Sequence, residues 1–148
     1  QRPDILLTNS QFIAGKVKKY YNRDSEVVYP PGDMSVCYPD SGRDKRSYFL
    51  AAGRLLHYKN FDLIIKTFNQ LQLPLKIVGD GPERGTLERM SFSNNIEFLG
   101  FVKDEKELRK IYSRAKAFIF PQVEDFGLVA AEAIASSFEG VSRTNQPL

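Results

Sequence analysis

A strand, a loop and the beginning of a helix follow one another in Ala117–Ser136, whose sequence is AFIFPQVEDFGLVAAEAIAS. The apolar run that Pro121 closes is typical of a buried strand. After Gly127 the chain turns to small and aliphatic helix formers, Leu128 through Ala135. The stretch therefore predicts a βα unit, and its loop lies where such folds bind ligands.

Two carboxylates, Glu124 and Glu132, bracket the start of the predicted helix. Glu124 lies in the loop, and Glu132 lies a little over one helical turn past Gly127. Between them, the free N–H groups of the first turn carry the positive end of the helix dipole, which favours phosphate. A nucleotide-sugar would place hydroxyl groups on either side of such a phosphate site. The alternative is a solvated loop glutamate and a surface helix glutamate that bind nothing.

The totals describe an ordinary globular domain. The chain has 148 residues, of which 42% are hydrophobic and 26% charged, enough for one domain with a core. Its net charge of +3 is a mild bias that gives no reason to expect nucleic-acid binding. The single Cys37 excludes an intrachain disulfide, one histidine makes a zinc site unexpected, and a reducing compartment fits. No apolar run approaches a membrane span.

The first part of the chain contains two short strand patterns and one helix pattern. The strands are Ile5–Thr8 and Glu26–Tyr29, and the helix runs from Phe12 to about Tyr21, where Asn9 or Ser10 can cap it. A polar segment rich in proline and glycine follows and predicts a linker. Because the chain begins without methionine, we expect a fragment or one domain of a longer protein.

From Ser47 onward, four short apolar strands alternate with four helical segments. The predicted strands are Tyr48–Gly53, Leu75–Gly79, Asn95–Gly100 and Ala117–Phe120. Consecutive βαβ units of this kind form a parallel sheet with helices on both faces, so the fold class is α/β. In such sheets ligands bind at the carboxyl ends of the strands, and glycine occurs in all four of the loops there.

Two of these loops contain further candidate groups. Arg54 and Lys59 follow the first of the four strands, and two cations there could neutralise a diphosphate. The alternative is a basic pair on the surface. The turn Gly79–Glu83 resembles half of a dinucleotide-binding fingerprint but lacks its third glycine, so a plain βα turn is the favoured interpretation.

Taken together, these motifs resemble a known family. The motifs that carry the resemblance are Gly53-Arg54-Leu55 with Lys59-Asn60, Val78-Gly79-Asp80-Gly81-Pro82-Glu83, Ile96-Glu97-Phe98-Leu99-Gly100, and Glu124-Asp125-Phe126-Gly127-Leu128 with Glu132-Ala133. From about Val27 through Ser136 the chain resembles the C-terminal, donor-binding half of a GT-B glycosyltransferase of the GT4 group (glycosyl transferases group 1). These enzymes are retaining and metal-independent and use nucleotide-activated sugars. The resemblance therefore implies no metal and no cofactor.

The resemblance also implies roles for individual residues. Arg54 and Lys59 would hold the donor diphosphate and Glu124 would contact the donor sugar, which makes these three the catalytic set. Glu132 would bind the ribose hydroxyls. The further donor-binding positions are Gly53, then Phe101 and Val102 with their backbone near the base, and Phe126, Gly127, Leu128 and Val129 with their backbone near sugar and phosphate.

The same resemblance divides the chain into parts. Residues 1–26 would end the N-terminal, acceptor-binding half, 27–46 would be the crossover, and 47–136 would be the nucleotide-sugar domain. Residues 137–148 form a polar, atypical tail, so we expect the last strands and helices of the family to be missing or altered. The implied partners are a nucleotide-sugar donor, a glycan or lipid-linked acceptor and the missing N-terminal half, without which the chain should not turn over.

The expected function is transfer of a hexose from GDP-mannose or a UDP-hexose, with a mild preference for mannose. The resemblance places it in the cytoplasm, at the inner face of a membrane. One alternative is a nucleotide-sugar epimerase of GT-B shape, whose acid or base residues would lie in the missing half. Another is a non-catalytic nucleotide-binding module; a receiver-type domain would show clustered acids where Gly53-Arg54 stand.

Overall fold

The computed structural model describes residues 3–30, 46–122, 125–135 and 139–142. Glu124 and most of the predicted crossover lie outside the described residues. Within them the chain divides into two compact units. Residues 3–30 and 125–128 form the smaller unit, and residues 46–122, 129–135 and 139–142 form the larger one.

The smaller unit contains β1 (Leu7–Thr8), α1 (Gln11–Tyr21) and β2 (Glu26–Val27). The two strands pair in parallel, with the Glu26 N–H donating to Leu6 O at 2.9 Å. Ser10 caps α1, because its Oγ accepts from the Ile13 N–H at 3.2 Å. Both predicted strands and the helix are therefore present, although each strand is only two residues long.

The larger unit is built on one parallel sheet. Its elements are β3 (Tyr48–Ala52), a 3-10 turn (His57–Lys59), α2 (Phe61–Leu71), β4 (Leu75–Val78), α3 (Arg84–Met90), β5 (Ile96–Gly100), α4 (Glu105–Ser113), β6 (Ala115–Phe120), α5 (Leu128–Ala135) and β7 (Glu139–Ser142). The five strands lie in the order β5-β4-β3-β6-β7, and every pair is parallel. The four predicted βα units and the α/β class are confirmed.

Apolar clusters cover both faces of the sheet. Neighbouring residues of β3 point to opposite faces, because side chains alternate along a strand. Ala51 belongs to a cluster with Ile65 of α2 and Leu87 of α3. Leu50 belongs to the other cluster, with Tyr112 of α4. The helices therefore lie on both faces, as the sequence predicted.

The fifth strand lies in the tail that the sequence marked as atypical. β7 pairs with β6 from Ala117 opposite Glu139 to Phe120 opposite Ser142. Parallel pairing uses backbone N–H and C=O groups, which polar residues supply as well as apolar ones. A polar segment can therefore extend the sheet without the apolar pattern that identifies a strand in a sequence.

The loops after β3 and β4 are joined through their backbones. The Leu55 N–H donates to Asp80 O at 3.0 Å, and the Glu83 N–H donates back to Leu55 O at 3.2 Å. A methyl group at Gly79 would overlap the carbonyl oxygen of Gly53, and Gly79 has φ +126°. The glycine after β4 is thus required for chain packing, which accords with a plain βα turn in this place.

We predict that Gly79→Ala lowers the free energy of unfolding by about 2 kcal/mol or more, because a methyl group there needs a shift of backbone. Gly85→Ala is the matched control: its methyl group would meet nothing closer than Arg89 Nη1 at 3.8 Å. Because Gly85 lies in α3, alanine there should stabilise by up to about 1 kcal/mol. Urea unfolding measures both variants, and equal midpoints would contradict the required close approach.

Candidate functional site

The loop from Gly53 to Asn60 leaves β3 at the carboxyl edge of the sheet and carries two cations. Arg54 is exposed, and Lys59 is partly exposed in the 3-10 turn, with its Nζ 5.7 Å from the centre of the Tyr58 ring. Between them Leu55 is fully buried in the core. The backbone hydrogen bonds of Leu55 and its buried side chain hold the loop in place. The loop in turn positions the two predicted cations.

Asn60 fixes the other end of this loop, in a way the sequence did not predict. Its side chain makes no capping hydrogen bond to α2, which begins at the next residue. Its Nδ2 instead donates to the carbonyl oxygen of Pro121, at the end of β6, at 3.3 Å. Its backbone is left-handed, with φ +55°, which asparagine tolerates better than most residues. Asn60 thus joins the ends of two neighbouring strands.

An aromatic residue follows β5 at the carboxyl ends of the strands. Gly100 has φ +72°, and its carbonyl oxygen accepts from the Gly79 N–H at 2.8 Å. Phe101 follows and is 76% exposed, whereas Val102 packs against the cluster beneath α4. The structure thus brings Gly53, Phe101 and Val102 to the edge where the sequence expected them. Their proposed ligand contacts stay a prediction.

Arg84 stands at this edge although the sequence analysis did not select it. Its Nε donates to Glu88 Oε1 at 2.8 Å, and its Nη1 lies 3.6 Å from Asp80 Oδ2. The hydrogen bond that Arg84 donates to Glu88, with the charges of Glu88 and Asp80, raises the pKa of Arg84 above its ordinary value. The spacing of Asp80, Arg84 and Glu88, each four residues apart, is the signal that could have revealed this ion-pair row.

The predicted helix start is placed as expected. α5 begins at Leu128, directly after Gly127 with φ +82°. The first-turn N–H groups of a helix have no partner within it, and the binding of an anion at this start stays a prediction. Glu132 lies on α5, and Val129 lies in its first turn.

Phe126 and Gly127 belong to the smaller unit, as does Leu128. There the Phe126 ring lies 6.0 Å from that of Tyr29, and Lys16 Nζ lies 3.9 Å from Asp125 Oδ1. These contacts tie the segment before α5 to α1 and to the end of the β2 region.

No group of three or more histidine, cysteine, aspartate or glutamate side chains in the described part of the chain could hold a metal ion. Among the same residues, no helix combines the length and the apolar character that crossing a bilayer requires.

The sequence match to a family model decides the identity. Residues 39–141 match the family described as glycosyl transferases group 1. The chain belongs to this family. The match covers the loop after β3, the loops after β4 and β5 and the start of α5, so the family predicted from the motifs is confirmed.

Two curated glycosyltransferases are similar to much of the chain. An uncharacterised glycosyltransferase of Methanocaldococcus jannaschii is 32% identical over 103 residues, which are 64% of this chain and 26% of that protein. The O-antigen chain mannosyltransferase RfbU of Salmonella typhimurium is 29% identical over 143 residues, 89% of this chain and 40% of that protein. The chain thus spans less than half the length of either relative.

A solved structure agrees in fold. The pneumococcal O-GlcNAc transferase GtfA, crystallised with UDP and GlcNAc, superposes with a TM-score of 0.70 at 23% identity. The superposition covers 98% of this chain and 31% of GtfA. At this identity the likeness establishes the fold alone, which is that of a GT-B glycosyltransferase.

We predict that Asn60→Gly lowers the free energy of unfolding by about 1 kcal/mol, because only the bond to Pro121 O is lost. Asn60→Ala should cost about 1 kcal/mol more, since alanine is strained in the left-handed conformation. Asn22, at the end of α1 with φ +50°, is the control for the backbone term. There alanine should cost the same strain, and glycine should cost nothing. If Asn60→Gly were as stable as the parent chain in urea unfolding, the link to β6 would contribute nothing.

Proposed function

We propose that this chain is the donor-binding part of a retaining hexosyltransferase of the GT4 group. It takes a hexose from GDP-mannose or a UDP-hexose and passes it to a glycan or a lipid-linked acceptor. The 29% identity to an O-antigen chain mannosyltransferase favours mannose and a role in polysaccharide biosynthesis. In this proposal the enzyme works in the cytoplasm, at the inner face of a membrane.

The loop from Gly53 to Asn60 carries this proposal. It holds an exposed arginine and a partly exposed lysine at the carboxyl edge of a parallel sheet, where α/β folds bind ligands. Arg54 can place two parallel hydrogen bonds on a phosphate, and Lys59 acts as a point charge. When the bond between sugar and phosphate breaks, negative charge grows on the diphosphate, and fixed cations stabilise it. The two side chains would supply this charge without a metal ion.

Backbone N–H groups at the start of α5 would also contribute to donor binding. In this proposal these free N–H groups would favour phosphate, and Glu132 on the helix would accept hydrogen bonds from the ribose hydroxyls. Glu124 would contact the donor sugar, and the backbone of Phe126 to Val129 would meet sugar and phosphate. At the end of β5 the backbone of Phe101 and Val102 would meet the base.

The smaller unit supports a missing N-terminal half as partner. Parallel strands are normally covered on both faces, but in β1 Leu7 is 62% exposed and the neighbouring Ile5 is 72% exposed. Val28, just after β2, is 58% exposed. Such apolar side chains on a two-stranded parallel pair fit the end of a larger sheet, supplied by the acceptor half.

The first prediction is that one nucleoside diphosphate among GDP, UDP and ADP raises the melting temperature of the chain. At a hundred times its dissociation constant, a ligand that binds only the folded state adds roughly 2.7 kcal/mol of stability. A shift with a single nucleotide would also identify the base. If all three failed to shift a chain with a folded circular-dichroism spectrum, the donor site would be wrong.

The second prediction concerns the two cations. Arg54→Ala and Lys59→Ala should each lower the affinity for that nucleoside diphosphate about tenfold or more. The reason is that a hydrogen bond to a charged group contributes roughly 1.5–3 kcal/mol. The loss should shrink as salt rises from about 0.05 M to 0.5 M, since screening weakens charge attraction.

Lys66→Ala is the matched control for these two variants. Lys66 is an exposed lysine of α2, and its Nζ is paired with Asp62 Oδ2 at 3.0 Å. Its removal deletes the same charge away from the loop and should leave titration-calorimetry affinities unchanged. Equal affinities for Arg54→Ala, Lys59→Ala and the parent would refute the diphosphate role.

A further inference from the structure

The guanidinium of Arg84 lies against the backbone at the end of β5. A methyl group built on Gly100 would lie 3.0 Å from Arg84 Nη1, 3.9 Å from its Cζ and 4.0 Å from its Nη2. All three guanidinium atoms therefore stand close to the position that a side chain of residue 100 would occupy. Gly100 is itself buried, so the arginine covers this turn of the chain.

Besides Arg84, the end of β5 is held by the Gly79 N–H, which donates to Gly100 O at 2.8 Å, and by the packing of Val102. Among the residues that the structure describes, β5 is the edge strand of the sheet and has β4 as its single pairing partner. The register between these strands shifts just before the end, because Ile77 pairs with Phe98 whereas Val78 pairs with Gly100. Such an irregularity bends the strand and re-aims the residues that follow it. The direction of Phe101 and Val102 therefore depends on what holds Gly100.

The neighbours of Arg84 argue against a phosphate-binding role. Its guanidinium is engaged by two carboxylates, Glu88 at 2.8 Å and Asp80 at 3.6 Å. These two carboxylates compensate its positive charge, which weakens its attraction for a diphosphate. Arg54, at the same edge, is not part of such a row of carboxylates. Arg84 is thus held by acids that orient it toward Gly100.

We propose that Arg84 is a positioning residue for the nucleoside end of the donor. Asp80 and Glu88 hold its guanidinium over Gly100, and this fixes the direction in which Phe101 and Val102 leave the sheet. The inference rests on the proposed function, because these two residues matter only if a base binds there. It assigns Arg84 an effect on base recognition, separate from the effect of Arg54 and Lys59 on the diphosphate.

Two probes separate these effects: the nucleoside diphosphate that binds best, and inorganic pyrophosphate, which has no base. The variant Arg84→Met keeps an apolar stem of similar length and removes the guanidinium. It should lower the affinity for the nucleoside diphosphate about fivefold and leave the affinity for pyrophosphate unchanged. Hydrogen exchange of the Phe101 and Val102 amides should speed up in the same variant, even without ligand. Glu88→Gln keeps the arginine but removes the charge of one of its two carboxylate partners. It should lower the nucleoside-diphosphate affinity and speed up amide exchange, each by less than Arg84→Met does.

Arg89→Met is the control on the same helix. Arg89 is exposed, and its Nη2 donates to Thr86 Oγ1 at 3.3 Å. It should change neither the affinities nor the exchange rates. Arg84→Lys keeps the charge without the planar fork and should restore only part of the affinity.

Each other outcome overturns a distinct statement. If Arg84→Met weakened the binding of both probes equally, Arg84 would be a phosphate ligand. If it changed neither the affinities nor the exchange rates, Arg84 would have no role in donor binding. If Arg84→Met did not fold, normal affinity and exchange in Glu88→Gln would refute the positioning role. If the parent chain bound pyrophosphate but no nucleoside diphosphate, the proposed function would fail, and this inference with it.

Discussion

The carbonyl oxygen of Gly53 occupies the space where a side chain of residue 79 would stand, and the candidate site depends on this close approach. Because Gly79 has no β-carbon, the chain leaving β3 and the chain leaving β4 can run against each other. This contact accompanies two backbone hydrogen bonds across the loops, from the Leu55 N–H to Asp80 O and from the Glu83 N–H to Leu55 O. The position of the cations and the start of α3 both follow from it.

Two arginines at one edge show how neighbours decide the use of a side chain. Arg54 is carried by a framework of neutral backbone bonds, so its charge remains available to a ligand. Arg84 lies between Asp80 and Glu88, which hold it and compensate its charge. The residue type and the edge are the same. The local carboxylates make one a candidate ligand for an anion and the other a support for the backbone.

The strands and helices were predictable because burial on both faces leaves short apolar runs, as in Leu75–Val78 and Ala117–Phe120. β7 was not, since its pairing rests on backbone groups that leave no apolar signal. The partner of the Asn60 amide was not predictable either, because Pro121 follows another strand, 61 residues away in the sequence. Arg84 was missed for a similar reason: its contact with Gly100 joins two loops far apart in the sequence. The positions of Arg54 and Lys59 were predictable, whereas the rigidity of their loop was not.

The bond between Asn60 and Pro121 also has a consequence for how the molecule is made. Its partners are separated by 61 residues, and the pairing of β3 with β6 spans a similar stretch. Contacts of such long range form late, because a long loop must close before they contribute. As a chain leaves the ribosome, β3, β4 and β5 can therefore assemble first, with the cationic loop still unanchored at one end. That loop acquires its final form only when β6 has been synthesised and joins β3.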